Sequence, residues 1–155
     1  MKTKNILLTT LMSSVLFIAS QSAVAAPVNA FMTVASQQSF AETTQAIQEA
    51  ATNNQMMVMG KIDQAKVMSM TGLKMEGAQS FLIGSPQSGK KLFSMFPAAG
   101  AVVPVRLYVW EQNHKTSIGW FNPAEQLTMI SPKLQMPGKM LEKKIMNIAA
   151  QASRN

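Results

Sequence analysis

Residues 102–122 read VVPVRLYVWEQNHKTSIGWFN, and their alternation decides the fold. Val103, Val105, Leu107 and Val109 share one parity; Arg106, Tyr108 and Trp110 share the other. That is the two-residue period of a strand with one apolar face. Asn113-His114 supplies a turn, and KTSIGWFN returns as the partner strand. Pro104 fits only the start of such a strand or a sheet edge, because it lacks the N–H a ladder needs. Outward from this hairpin, AFMTVAS (30–36), QMMVMGKI (55–62) and GAQSFLIG (77–84) read as further short strands.

Helices fall between them. In SFAETTQAIQEAATNN, Ser39 and Glu42 form a capping box, and Phe40, Thr44, Ile47 and Ala51 share a face. Asp63 precedes a short helix in QAKVMSMTG, ended by Gly72. SPQSGKKLFSMFP reads as a turn and a short helix closed by Pro97. Asn122-Pro123-Ala124-Glu125 opens another helix with an N-cap, a proline at its first position and an acid at its third. The last is an amphipathic helix over about 138–152, with Leu141, Ile145, Ile148 and Ala152 on its apolar side. Hairpin strands with helices between them predict an α+β domain, a curved antiparallel sheet with helices packed on one face.

The chain has 155 residues, and its first 25 read differently from the rest. Lys2 and Lys4, the apolar run Leu11–Ala19 and Ala23-Val24-Ala25 have the layout of a cleaved signal peptide. The apolar run is shorter than the ~20 residues of a membrane span, and no later segment is longer. Residues 26–155 are then expected to form one exported, periplasmic domain without a transmembrane segment. Losing Lys2 and Lys4 leaves 12 basic against 7 acidic residues, a net +5. Export makes nucleic acid a poor partner for that charge. There is no cysteine, so burial rather than disulfides must hold the fold.

Taken together, IDQAKVMSMTGL, FLIGSPQSGKKLFSMFPAAGAVVPVRLYVWE and IGWFNP resemble the bacterial "domain of unknown function" 302 family. The resemblance spans about residues 31–130. It rests on Gly84-x-Pro86-x-x-Gly89, Pro97, Pro104-Val105-Arg106, Val109-Trp110-Glu111 and Asn122-Pro123. It implies a fold like the repeat unit of the TATA-binding protein, and no established activity. Where many members have Asp-His at the start of the short helix, this chain has Asp63-Gln64. A ligand role for that histidine therefore does not transfer.

The chemistry on offer is sparse. Gly84, Gly89 and Lys90 match the spacing of a phosphate-binding loop, but Lys91 stands where Ser or Thr would hold magnesium. A structural turn is the expectation, the alternative being an anion at the helix N-terminus helped by Lys90 and Lys91. His114 is the only histidine and Asp63 the only aspartate, so any hydrolytic triad would need both. No glutamates show paired spacing, and no catalytic residue is expected.

Twelve methionines follow residue 25, six of them within 56–75. Thioethers suit Cu(I), and Met57 and Met59 would share a strand face, so copper is the alternative cofactor. The main expectation is core packing, because Met fills irregular gaps. Arg106, Tyr108, Trp110 and Trp120 lie on the two strands of one hairpin. They are expected to form a sheet-face surface for a small flat ligand or for a second copy in a homodimer, unless a helix covers it.

Overall fold

The structure is a computed structural model and describes residues 30–154. The leader expected over residues 1–25 lies outside them. In chain order the elements are β1 (Phe31–Ala35), α1 (Phe40–Asn53), β2 (Met57–Asp63), α2 (Gln64–Ser69), β3 (Gly77–Gly84), α3 (Pro86–Met95), β4 (Val105–Gln112), β5 (Lys115–Phe121), α4 (Pro123–Ile130) and α5 (Gln135–Ala152). Short 3-10 helices at Pro97–Ala101 and Pro132–Leu134 link the later ones.

The hairpin fixes the rest of the sheet. Asn113 and His114 sit at φ +53° and +59°, which makes a two-residue turn whose twist suits the strands on either side. Gln112 then pairs with Lys115 and Tyr108 with Gly119. β3 joins β4 with Phe81 opposite Leu107, and β1 joins β5 with Met32 opposite Trp120. The result is an open, five-stranded, all-antiparallel sheet in the order β1-β5-β4-β3-β2.

One face of this sheet is the core. Val105, Leu107, Val109, Phe81, Ile83, Ile118 and Trp120 are buried there. Ile47, Ala50 and Ala51 of α1 and Ile145, Ile148, Ala149 and Ala152 of α5 close over them. A smaller cluster of Ala99, Leu127 and Leu134 joins α4 and the 3-10 segments beside it. α5 starts three residues earlier than its apolar pattern indicates, with Pro137 inside its first turn, where a missing N–H costs nothing. Gly138 lets α5 approach α4: a Cβ there would lie 2.7 Å from Ala124 Cα. The two ends of the described chain meet, since Gln37 N donates to Ser153 O at 2.9 Å and Gln38 Nε2 donates to Arg154 O.

Most helices lie on the core face, as expected. α2 is the exception. Its Gln64 Nε2 donates to the Oγ of Ser80, which pairs with Tyr108 and therefore faces away from the core. Asp63 caps this helix by accepting from Lys66 N at 2.9 Å.

Three expectations are corrected. Trp120 is not part of the outer face. It is one residue beyond Gly119, the partner of Tyr108, so it points to the opposite side and is 3 % exposed. The methionines are not core filling. Met56 is buried and Met32 and Met68 are half-buried, while the other nine past residue 25 are exposed. They fall outside the buried stripes of their elements: α5 buries Gly138, Ile145, Ile148, Ala149 and Ala152, leaving Met136, Met140 and Met146 in solvent. Finally, residues 86–89 are not a turn. Ser85 caps α3, Pro86 takes its first position, and Gly89 N already bonds Ser85 O at 2.8 Å. A helix running through this stretch leaves no loop to wrap a phosphate.

Candidate functional site

The outer face of the sheet carries the aromatic residues. Parity along β4 turns Arg106, Tyr108 and Trp110 outward. Tyr108 and Trp110, two residues apart on one strand, stack at 5.5 Å between ring centroids and 13° between planes. Across β5, Gly119 leaves a gap that neighbouring rings fill. A Cβ there would lie 2.7 Å from Phe31 Cζ and 2.9 Å from Trp110 Cζ3. Phe31 in turn packs on Phe121 at 5.2 Å. Three adjacent strands, β1, β5 and β4, thus present four rings on one surface.

The segment after α2 walls this surface. Phe31, Tyr108, Trp110, Lys74, Met75, Glu76, Glu111 and Gln112 together enclose a groove of about 440 Å³. Glu76 anchors the wall to the hairpin. Its Oε1 accepts from Asn113 N at 3.3 Å and its Oε2 from His114 N at 3.1 Å. These bonds tie the 70–76 segment to the far end of β4. The groove therefore has an aromatic floor, a thioether on its wall, and a rim carrying Lys74 with two carboxylates. A volume in the usual range for small-molecule sites, apolar lining and a few polar groups suit a flat organic ligand with a polar edge.

A larger trough of about 700 Å³ lies between α1 and the sheet edge, lined by Thr44, Gln45, Gln48, Glu49, Thr52, Asn53, Lys61 and Gln79. Its walls are polar side chains, with no aromatic ring among them. The aromatic groove is the better site despite being smaller.

The structure brings together only part of the residues singled out in the sequence. Tyr108 and Trp110 form the floor. Arg106 shares their face but lies toward the opposite end of β4, paired with Leu82 and outside the groove. Lys90 and Lys91 are exposed on α3, away from it. Met57 and Met59 are exposed on β2, where a Cβ on Gly84 would lie 2.5 Å from Met59 Sδ. Phe31, Lys74, Met75 and Glu76 come from segments whose role was not legible. The hairpin register carried one usable signal. A two-residue turn at 113–114 pairs 108 with 119, so Phe31's partner strand offers a glycine beside Tyr108.

Glu76, Glu111 and His114 bring one ligand atom each within 4.8 Å of one another, a grouping that no spacing in the chain announces. The Glu76 carboxylate is already engaged by the turn amides. His114 is thus grouped with these two glutamates, whereas Asp63 serves as a helix cap.

An open antiparallel sheet backed by helices defines an α+β fold rather than a closed barrel. The model of the "Domain of unknown function DUF302" matches residues 32–152; the chain belongs to this family. The match includes α5, beyond the residues 31–130 over which the resemblance was legible. The fold is similar to that of the uncharacterized conserved protein DUF302 from Bacillus stearothermophilus. The TM-score is 0.75 at 19 % identity, covering 81 % of this chain and 99 % of that one. No curated protein matches the chain.

Proposed function

We propose that this chain is a non-enzymatic binding module, exported to the periplasm, whose outer sheet face receives a small, flat, largely apolar ligand. One observation carries the reading: among the described residues, the stacked Tyr108–Trp110 pair is left as the floor of a walled groove instead of being covered by a helix. Exposed aromatic area of this kind is costly in water and is retained where something docks on it. The mixed rim of Lys74, Glu76 and Glu111 favours a ligand with a polar edge over a pure hydrocarbon. The leader-like residues 1–25 support export.

The chain contains its own control. Trp110 lines the groove and Trp120 is buried in the core, so a ligand perturbs only the first. With anilinonaphthalene sulfonate as the probe, Trp110 emission should be quenched on titration. Trp110→Ala should weaken probe binding at least tenfold (about 1.4 kcal/mol) while the near-ultraviolet signal of Trp120 persists. Unchanged probe affinity in Trp110→Ala would sink the reading.

Cu(I) handling is a second reading, favoured by the exposure of Met57 and Met59 together on edge strand β2. Soft thioethers on an accessible strand are suitable Cu(I) donors. A Cu(I) competition titration should then show binding that Met57→Leu and Met59→Leu abolish; binding untouched by both substitutions removes the reading.

A further inference from the structure

The two edges of the sheet are unlike. On β2 the ladder is broken by a bulge between Val58 and Gly60, and Lys61 and Asp63 stand on the strand. These features discourage pairing with another strand. β1 has none of them: Phe31, Met32, Thr33, Val34 and Ala35 are uncharged, unbulged and free of proline.

Among the described residues nothing pairs with its outer side, and the direction of the groups there follows from the ladder to β5. Asn122 N donates to Ala30 O at 2.7 Å, and Ser36 N donates to Thr116 O at 2.9 Å. Bonding alternates along an antiparallel pair, so residues 32 and 34 also face β5. The N–H and C=O groups of Phe31, Thr33 and Ala35 then point away from the sheet.

We propose that β1 is a homodimer edge, pairing antiparallel with β1 of a second copy about a two-fold axis at Thr33. This places Thr33 opposite Thr33 of the partner subunit, Phe31 opposite the partner's Ala35, and Met32 opposite the partner's Val34. Each pair suits the position. Two threonines are a favourable cross-strand pair. Phe31, whose ring leans inward over Gly119, leaves room on the same face for the partner's small Ala35. Met32 and Val34, half-buried now, cover each other on the core face. On the order of six intermolecular backbone bonds form. A bulged, charged β2 offers no such match, so the self-complementary edge selects a closed two-fold pair over an open chain of copies.

Two ten-strand consequences follow: the core faces lie on one side, and both aromatic grooves open on the other. The chain has no cysteine, so Thr33→Cys supplies a single thiol at the axis. Opposed residues of a bonded pair stand ~5.5 Å apart at Cα, within reach of a disulfide.

The test is light scattering and native mass spectrometry of the mature protein at micromolar concentration, with three variants. A dimer is expected for the wild type. Thr33→Lys sets like charges at the axis and should weaken it at least tenfold with the near-ultraviolet signal intact. Thr33→Cys should oxidise to a covalent dimer, while Thr71→Cys, off the edge, should not. A monomeric wild type overturns the proposal. So does a dimer indifferent to Thr33→Lys, or one lost in Trp110→Ala, which would place the contact on the aromatic face instead.

Discussion

Glu42 lies in solvent, yet its carboxyl titrates below the ordinary glutamate range. The largest cause is the Ser39 hydroxyl, which donates to Oε2 at 2.7 Å, followed by the Ser39 amide at 2.9 Å. A carboxyl whose folded pKa is lowered adds stability that is present above its unfolded pKa and is lost as pH falls through the folded one. Ser39→Ala removes both the helix N-cap and this donor and should lower Tm at neutral pH. The gap in Tm to the wild type should narrow as pH is taken from neutral to the acid side of the lowered Glu42 pKa, where the carboxyl is protonated in both chains. Thermal unfolding of the two proteins at both pH values checks this; equal gaps would mean that the box contributes no pH dependence. This pair was legible because a capping box is local, its two members only three positions apart. Trp120 was not, because its side depends on which residue of β4 stands across from it. Composition puts Trp110 and Trp120 in one class, and only the register separates the floor of the groove from the core.

Among the elements, β3 is delimited in the sequence as it is in the structure, and the β4–β5 hairpin turns where Asn113-His114 indicates. Both are governed by short-range period and turn chemistry. The errors lie where a segment's surroundings decide. Asp63 and Gly72 mark a short helix in QAKVMSMTG but not its side of the sheet: α2 has no buried residue and rests on the outer face, through Gln64 and Ser80, rather than with the other helices. The stretch SPQSGKK pairs a proline with a glycine, the usual marks of a turn. Ser85 as N-cap and Pro86 at the first position convert those same marks into a helix start. The groove was only half legible for the same reason. β4 announces its aromatic parity, whereas the wall at Lys74–Glu76 exists because Glu76 reaches the hairpin amides 37 and 38 residues away.

At the scale of the whole molecule, the methionines are a surface property. Nine exposed thioethers lie on β2, the 70–76 segment, α3, α4 and α5, and a sulfur's conversion to sulfoxide adds polarity without disturbing a core it never entered. Mild peroxide should add nine oxygens per chain by intact mass with little change in Tm, and cooperative unfolding should weaken only as Met56 reacts. Loss of the cooperative transition after the first few oxygens would show that some of these side chains carry packing after all. The contact between the chain's two ends has its own consequence. The amide of Gln37 is satisfied by Ser153, and the core face waits for Ile145, Ile148 and Ala152. The first strand therefore finds its final surroundings only after α5 has left the ribosome. Until that moment the hairpin waits half-dressed, its apolar side bare to water, and the lifetime of that bareness is set by how fast the last helix is synthesised.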